Sequence, residues 1–279
     1  MTGFAGWNLF GNLAAITFTQ GLNLLLNMFF GPVVNAARGM AQTAIGQFSN
    51  NFQTALNPQI TKSYATGDRE YMHSLIFRSA KFSFFLLLFL SLPILIETKA
   101  ILTLWLKIVP DHTVVFLRIM LCTTWVYAIS NPLITAASAT GKIKLYQSVV
   151  GGLLLLILPI SYLCLRLGLP AYSVFIVHLG MEITAQFARL WMLRRMIRLS
   201  LREYFTKVIW RISKVTIIAL AAPLAVAYWL PGEEIWNLLT ICLICAISTS
   251  MSVYWFGLTS GEKIYISSRV SSIVSKFRI

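Results

Sequence analysis

The chain alternates between long apolar segments and short polar connections along most of its length. Each apolar segment has enough residues to cross the hydrocarbon core of a bilayer as a helix, which takes about 20 residues. We count eight such segments, near residues 4–30, 33–59, 75–97, 113–138, 144–167, 170–193, 208–230 and 235–257. The pattern predicts an all-α polytopic membrane protein with about eight transmembrane helices.

The second segment carries polar side chains at steps of three and four residues, which places them on one side of a helix. The members of this row are Asn35, Arg38, Gln42, Asn50 and Gln53. Such a row is costly against lipid, so it is expected to face protein or a water-filled cavity. Hydrogen bonds between helices, worth about 1 kcal/mol or less each, explain two or three amides. A hydrated cavity for a polyhydroxylated or phosphorylated cargo explains them all.

The first segment has a polar face of its own, formed by Asn8, Asn12, Thr19, Asn23 and Asn27. Gly31 and Pro32 then predict a tight turn into the second segment, so the two helices are expected to be antiparallel neighbours. Amides from both helices and one arginine form the candidate substrate cavity, which consists of Asn12, Asn23, Asn27, Asn35, Arg38, Gln42, Asn50 and Gln53.

Composition and charge narrow the class of protein. Hydrophobic residues make up 57% of the 279 residues, charged residues only 11%, and the mean hydropathy is +0.74. These values lie outside the range of soluble domains. With eight spans and a cytoplasmic N-terminus, 18 of the 23 lysines and arginines fall on the cytoplasmic side. The net charge of +14 is therefore expected to set topology, with both termini cytoplasmic, rather than to bind nucleic acid.

Arginines inside or beside the predicted spans have different expected roles. Arg38 either contacts a phosphate or pyrophosphate group or extends to the outer lipid headgroups. Arg118 lies closer to the outer end of its segment and is expected to be an interfacial anchor, with the lining of a cavity as the alternative. The strongest basic run, at 189–207, predicts a topological anchor in contact with anionic membrane lipids.

Glu182 is the one acidic residue well inside a predicted span. The other members of its row on the sixth segment are His178, Gln186 and Arg189. One hypothesis is proton or ion coupling through His178, Glu182 and Gln186, because a titratable group inside a span marks an ion pathway by default. The other is that Glu182 pairs with His178, Arg38 or Arg118 and holds helices together.

Motifs for catalysis and cofactor binding are not found in the sequence. The three histidines lack metal-ligand spacing, and neither a phosphate-binding loop nor a nucleophile elbow occurs. The four cysteines lie inside predicted spans and are expected to be small buried apolar residues. We expect no enzyme activity, no cofactor and no metal site.

Shorter features complete the predicted organisation. Residues 98–110 are apolar but too short to span, so they are expected at the outer interface. Gly151 and Gly152 permit close approach of a neighbouring helix. Residues 1–200 are expected to form a six-helix membrane bundle, and residues 201–279 two further transmembrane helices and a cytoplasmic tail.

A family resemblance is carried by residues 12–27, the turn FFGPVVNAARGMA (29–41) and the run SNNFQTALNPQITKSYATGD (49–68). These stretches resemble the start of the second half of bacterial polysaccharide flippases. The family is the Wzx-type members of the multidrug/oligosaccharidyl-lipid/polysaccharide exporter superfamily. The resemblance is specific over the first 68 residues, and the remainder agrees in hydropathy and span count.

The resemblance implies a fold and a substrate. Family members have two pseudo-symmetric lobes of six helices, often followed by two extra helices, around a V-shaped cavity. They move oligosaccharides linked to undecaprenyl pyrophosphate across the bacterial inner membrane by alternating access. The chain would then be the second lobe plus two extra helices. Cavity-facing roles carry over to Asn35, Arg38, Gln42, Asn50 and Gln53, with Arg38 as a pyrophosphate contact.

The resemblance also implies a partner, since the first lobe has no counterpart in the chain. A first-lobe polypeptide or a second copy of the chain is expected to complete the cavity. The expected function is export of O-antigen, capsule or exopolysaccharide glycan. The alternatives are a cation-coupled drug exporter of the same superfamily and a non-transporting membrane scaffold subunit of glycan assembly.

Overall fold

The architecture comes from a computed structural model, which describes residues 2–32, 38, 56–106, 109, 112–229 and 235–264. These residues are mostly helical and include no strand. The helices are α1 (Thr2–Phe30), α2 (56–65), α3 (Arg69–Ile96), α4 (Thr98–Leu106), α5 (Thr113–Ala139), α6 (Lys144–Arg166), α7 (Ser173–Met196), α8 (Leu201–Trp229) and α9 (Ile235–Gly257). α8 and α9 each contain one π-helical turn, Phe205–Ile209 and Val253–Gly257 respectively.

Six of the described helices are long and apolar enough to cross a membrane, namely α1, α3, α5, α6, α8 and α9. Large hydrophobic side chains on their outer surfaces, such as Leu24, Leu156 and Ile217, are exposed. Such side chains are as compatible with lipid tails as with a protein core. The chain is therefore a multi-pass membrane protein.

The membrane class is confirmed, whereas the predicted number of eight spans is only partly reproduced. The sixth predicted segment is present as α7, but its buried polar residues and three arginines make it less apolar than the other long helices. The second predicted segment lies mostly outside the described residues. Its described parts are Arg38 and residues 56–59, which begin α2.

α3 and α8 begin about two turns before the predicted segments because polar residues cap them. Asp68 accepts a hydrogen bond from the Tyr71 amide at 3.0 Å, and Ser200 accepts one from the Glu203 amide at 3.3 Å. These caps satisfy backbone N–H groups that the first turn of a helix leaves unpaired. The helices therefore extend into charged sequence beyond their apolar spans.

α1 lies along α6, and the two helices run in the same direction. The buried side of α1 is a row of apolar residues at steps of four, consisting of Ala14, Phe18, Leu22 and Leu26. α6 also contacts α7, α7 contacts α5, and α5 contacts α3. The first span is thus attached to the bundle mainly through α6, and its buried side also packs against α7.

Two adjacent glycines of α6 give a matched pair of substitutions. A Cβ at Gly151 would lie 2.9 Å from Cε1 of Phe10 on α1, whereas no described atom lies within 4 Å of a Cβ at Gly152. The predicted close approach is therefore confirmed at Gly151. We expect Gly151→Leu to lower the free energy of unfolding by about 1–3 kcal/mol through overpacking. Gly152→Leu should change it by less than about 0.5 kcal/mol.

Denaturation of both variants in detergent micelles checks this prediction. The midpoint in sodium dodecyl sulfate should shift for Gly151→Leu and stay near wild type for Gly152→Leu. Equal shifts for the two variants would contradict the α1–α6 contact.

α3 lies in the larger hydrophobic core, which includes residues of α5, α8 and α9. Leu88, Leu133 and Val215 are completely buried within it. α8 and α9 contact each other and both contact α3. A Cβ at Gly257 would lie 2.7 Å from the ring of Phe85, so this glycine lets the end of α9 approach α3. The last two spans share their core with the preceding helices.

One end of the bundle, called the basic end below, holds the turns 66–68, 140–143 and 197–200 and the segment 258–264. Contacts from α3 place the turn 197–200 and the segment 258–264 at this end. Arg118 contacts Leu95 and Trp125 contacts Ser91, so α5 runs antiparallel to α3 and brings the turn 140–143 to the same end. His73, one turn into α3, contacts the carbonyl of Ile197 through its Nε2 at 3.1 Å. Lys81 of α3 forms an ion pair with Glu262 after α9.

At the opposite end, Arg118 of α5 closes the C-terminus of α3. Its guanidinium donates to the carbonyls of Leu95 and Ile96 at 3.2 and 3.3 Å and to Oγ1 of Thr98 at 3.1 Å. The last carbonyls of a helix lack partners within the helix, and a cation there also opposes the helix dipole. Arg118, predicted to be an interfacial anchor, therefore joins α5 to α3.

Two basic residues that the charge count placed on the cytoplasmic side are buried inside the protein. Lys81 is 3% exposed, and its ammonium contacts both carboxylate oxygens of Glu262 at 2.6 and 2.8 Å. Arg189 is 3% exposed and pairs with Glu182. The charge count did not indicate that either residue is buried, because position relative to a span does not reveal a carboxylate from another turn or helix.

The Lys81–Glu262 pair attaches the segment after α9 to α3. Burial raises the pKa of the Glu262 carboxyl, but hydrogen bonds from Lys81 and Thr259 outweigh burial and hold that pKa below its ordinary value of 4.5. A carboxyl whose pKa is lowered by folding stabilises the folded state above its unfolded pKa. The contribution is lost as the pH falls through the folded pKa.

Glu262→Gln should therefore lower the thermal midpoint by about 2–4 °C at neutral pH. The difference from wild type should shrink below pH 4.5. It should vanish at still lower pH, where the protonated Glu262 of wild type is uncharged like the glutamine of the variant. Glu70→Gln, which changes an exposed carboxylate at the same end, is the control and should have no comparable effect. A Glu262→Gln difference that stays constant as the pH falls would contradict the role of this pair.

Candidate functional site

Arg38, the cation of the predicted cavity, lies against α1. Its side chain is only 5% exposed. Its Nη1 donates hydrogen bonds to the backbone carbonyl of Thr19 at 3.4 Å and to the side-chain carbonyl of Asn23. Gly31, with φ 79°, provides the left-handed turn between the two segments. The first two predicted segments are therefore neighbours at this point, as the turn predicted.

Hydrogen bonds on α1 orient Asn23 for this contact. Its Nδ2 donates to Oε1 of Gln20 at 3.2 Å, which leaves its carbonyl oxygen for Arg38. Both partners of Arg38 are neutral, and no carboxylate in the described part of the chain pairs with it. A guanidinium has five N–H donors, so the contacts on Nη1 leave donors and positive charge for an anionic ligand.

The other predicted cavity residues are less closely grouped. Asn12 and Asn27 lie on the exposed side of α1, and Asn23 is half-buried. Four further amides, at Asn35, Gln42, Asn50 and Gln53, lie outside the described residues, so their place in the cavity stays a prediction. The described part of the site is thus the polar face of α1 with Arg38 bound to it.

His178 connects this site to the interior of the bundle. Its ring lies 4.7 Å from the ring of Phe18, centroid to centroid, on the α1 side of α7. Phe18 directly precedes Thr19, whose carbonyl accepts a hydrogen bond from Arg38. The row on α7 therefore begins beside the Arg38 site.

A buried polar network continues from this row and joins four helices. Arg189 Nη1 contacts Glu182 Oε1 at 2.7 Å and donates to Ser130 Oγ at 3.1 Å. Arg189 Nε donates to Tyr146 Oη on α6 at 3.2 Å. Glu182 is 6% exposed, so the whole ion pair is out of contact with solvent or lipid. Hydrogen bonds from both α5 and α6 thus support the pair.

Gln186 extends the network to α8. Its Oε1 accepts a hydrogen bond from Ser130 Oγ at 2.6 Å, and its Nε2 donates to Tyr204 Oη at 3.2 Å. Tyr204 is completely buried and donates to the Ile129 carbonyl at 3.4 Å. Because each of these side chains has a partner on another helix, the network fixes α5, α6, α7 and α8 relative to one another.

Glu182 has two hypothetical roles, proton or ion coupling and the joining of helices, and the contacts of its carboxylate distinguish between them. Its partner is Arg189, seven residues later on the same helix, rather than Arg38 or Arg118. A carboxylate held by a guanidinium that has further hydrogen-bond partners favours the helix-joining role. Proton or ion coupling through His178, Glu182 and Gln186 stays a prediction.

Three network residues were not found from the sequence. Ser130, Tyr146 and Tyr204 are single polar groups in otherwise apolar or basic surroundings, and none belongs to a polar row on its own helix. They become members of the site only because three different helices bring them to one face of α7. The polar row on α7 indicated that partners were needed but not which helices supply them.

Comparison with known proteins adds no family to this description. The chain matches no protein-family model, and neither curated proteins nor solved structures gave a match to it. Its function is therefore inferred from its own residues.

Proposed function

We propose that the chain translocates oligosaccharides linked to undecaprenyl pyrophosphate across the bacterial inner membrane by alternating access. It would form the second half of an exporter of O-antigen, capsule or exopolysaccharide glycan, with both termini cytoplasmic. The observation that carries this proposal is Arg38. Its buried guanidinium is held by Thr19 and Asn23, without a carboxylate partner among the described residues.

A pyrophosphate supplies the anion that this guanidinium lacks. Arginine binds phosphate oxygens through parallel charge-assisted hydrogen bonds, and a cation inside a membrane protein is costly unless it is paired or hydrated. Amides such as Asn12 and Asn27 both donate and accept hydrogen bonds, which suits sugar hydroxyl groups. The polar face of α1 thus offers one place for the charged linkage and an adjoining surface for the glycan.

The exposed amides of α1 support a requirement for a partner. Asn12 and Asn27 are exposed in the chain, on a helix that is long and apolar enough to span a membrane. Contact between amides and lipid tails is unfavourable, so a protein surface or water should cover this face. A first-lobe polypeptide or a second copy of the chain would close the cavity against it.

The buried network gives the proposed transporter a rigid half. Alternating access needs bundles that rotate against each other as bodies around a fixed site. The Glu182–Arg189 pair and its hydrogen bonds tie α5, α6, α7 and α8 together, while α1 is attached through α6. The site at Arg38 would then move with this body relative to its partner.

The alternative functions fit these observations less well. A cation-coupled drug exporter needs a carboxylate that binds and releases the cation, but Glu182 is engaged by Arg189 at 2.7 Å. A scaffold subunit of glycan assembly could use the basic end, but it has no need for an arginine buried beside Asn23 without a carboxylate. Arg38 therefore favours transport of an anionic lipid-linked cargo.

Deletion of the gene followed by rescue tests the proposal in cells. Lipid-linked glycan should accumulate in the cytoplasmic leaflet, and expression of the chain should reverse the accumulation, alone or with a first-lobe polypeptide. Rescue by the chain alone would indicate that two copies act together. A deletion strain in which no lipid-linked glycan accumulates would contradict the proposed function.

A further inference from the structure

A second polar cavity lies at the basic end, apart from the Arg38 site. It has a volume of about 620 Å3 and opens between the first turns of α3, the turn after α7, the start of α8 and the segment after α9. Three carboxylates line it together with five cations, which are Arg78, Lys81, Arg198, Lys207 and Arg211. The lining therefore has an excess of positive charge.

Two of the carboxylates are already engaged by lysines. Lys81 contacts Glu262 at 2.6 Å, and Lys207 contacts Glu203 at 2.6 Å one turn earlier on α8. These pairs neutralise the two lysines. They leave the three arginines as the source of the excess charge.

The arginines of the cavity lack anionic partners. Arg211 donates to the carbonyl of Gly257 at 3.3 Å and pairs with no carboxylate among the described residues. Arg78 and Arg198 have no hydrogen-bond or ion-pair partner among the described residues. Two guanidinium groups with unused donors therefore line one cavity.

The backbone conformation of Arg198 indicates independently that the arginine side chain is required at this position. Arg198 has φ 58°, in the left-handed region, directly after Ile197 closes α7. The Leu199 amide returns to the Leu193 carbonyl at 3.5 Å, which is the pattern of a helix end that usually has glycine at this place. An arginine in this conformation is strained, and strained residues concentrate at ligand sites.

The π-helical turn of α8 shapes the same wall of the cavity. Phe205–Ile209 lies between Glu203 and Arg211, and the wider turn helps to keep both residues and Lys207 on the cavity face. Such turns occur often at functional sites. Tyr204 and Val208 lie in this part of α8 and are completely buried in the larger hydrophobic core. Their packing fixes the position of this wall of the cavity.

We propose that this cavity binds a phosphate group, with Arg78 and Arg198 as its direct ligands. Their guanidinium groups supply paired donors of the geometry that phosphate oxygens accept, and Arg211 adds charge beside them. The carboxylate pairs at Lys81 and Lys207 line the same cavity. This site is separate from the proposed translocation site and does not rest on that function.

Phosphate reaches this position either in a phospholipid headgroup or as a soluble phosphate. Trp210 and Trp255 are exposed at the same end, and the ammonium of Lys214 lies 4.8 Å from the ring of Trp210. Exposed tryptophans with neighbouring lysines are typical of the membrane interface, where basic pockets between helices bind anionic headgroups. A lipid headgroup and a soluble phosphate would make the same contacts with the arginines. They can be distinguished by whether a phospholipid probe or inorganic phosphate binds.

Binding to the full chain in a neutral detergent tests the site. The probes are dihexanoyl phosphatidylglycerol and inorganic phosphate, each titrated at constant ionic strength and followed by calorimetry. Arg78→Gln combined with Arg198→Gly should weaken binding of the probe by about tenfold or more, because charge-assisted hydrogen bonds are lost. The matched control, Arg194→Gln combined with Arg202→Gln, removes two exposed arginines from the basic end and should change the affinity by less than about twofold.

Folding of the variant is checked separately. Glycine relieves the left-handed strain at position 198, so Arg198→Gly alone should have a thermal midpoint equal to or above wild type while it binds the probe more weakly. Selective loss of phosphatidylglycerol binding would identify a lipid headgroup as the ligand, and selective loss of phosphate binding a soluble one. Equal losses in the cavity and control variants, or no binding of either probe to wild type, would overturn the proposal.

Discussion

Replacement of Arg189 by methionine should lower the free energy of unfolding by about 3–5 kcal/mol, which is the usual penalty for a buried charge left without its partner. Methionine leaves Glu182 at 6% exposure with no cation at 2.7 Å. It also removes the donors to Tyr146 and Ser130. The measurement is denaturation of the purified chain in detergent micelles, followed by circular dichroism.

Two controls separate the ion pair from general effects of removing an arginine. Arg194→Met changes an exposed arginine five residues further along α7 and should change stability by less than about 0.5 kcal/mol. Glu182→Leu combined with Arg189→Met removes both charges and should destabilise less than Arg189→Met alone. If Arg189→Met and Arg194→Met behave alike, the network does not hold the helices together.

Replacement of Arg38 by glutamine should weaken binding of undecaprenyl pyrophosphate by about tenfold to a hundredfold. The estimate follows from the loss of charge-assisted hydrogen bonds to the pyrophosphate, worth about 1.5–3 kcal/mol, where 1.4 kcal/mol is a factor of ten. Arg38→Lys should give an intermediate affinity, because it keeps the charge and loses the planar fork. Affinity can be measured by competition in detergent against a fluorescent lipid pyrophosphate.

Two further comparisons make the Arg38 result specific. Arg166→Gln, which removes an exposed arginine at the end of α6, should leave the affinity unchanged. Undecaprenol, which has no phosphate, should bind wild type and Arg38→Gln equally. Equal binding of the pyrophosphate lipid to Arg38→Gln and wild type would show that the buried guanidinium serves only to hold α1.

Most of the membrane fold could be predicted because exposing polar groups to lipid is costly. This cost determines both the hydropathy pattern of the sequence and the positions of the helices. The helices α1, α5, α6 and α9 follow the predicted segments within two residues at each end. The starts of α3 and α8 were predicted too late, since a hydropathy pattern ends where charges begin. The caps Asp68 and Ser200 mark the true starts, and the Ser200–Glu203 spacing is a known capping signal.

The candidate site could be predicted only where its residues share one helix. The row from Glu182 to Arg189 was visible because polar residues at helical spacing stand out in an apolar segment. Ser130 and Tyr204 were not visible, since a single hydroxyl in a span carries no pattern. The same reasoning explains Lys81: its partner Glu262 is 181 residues away, so the sequence did not show that the two side chains form a pair.

Helix approach was likewise only partly predictable. Gly151 and Gly152 are equivalent in sequence, yet only Gly151 faces α1 closely. The rotation of α6 about its own axis decides between them, and that rotation depends on side chains of α1 such as Phe10 and Ala14. Small residues indicate that two helices approach closely. They do not indicate which of the small residues lies at the contact.

Reconstituted translocation is the most direct test of the proposal that Arg38 serves an anionic lipid-linked glycan. Purified chain, alone and with a first-lobe polypeptide, would be placed in liposomes, and undecaprenyl-pyrophosphate oligosaccharide would be added to the outer leaflet. The glycan protected from an impermeant oxidant would then be followed over time. We predict protection that grows with wild-type protein and at least about tenfold more slowly with Arg38→Gln, in keeping with its expected loss of binding. The proposal would be contradicted if protection increases no faster than in protein-free liposomes, or equally fast with wild type and Arg38→Gln.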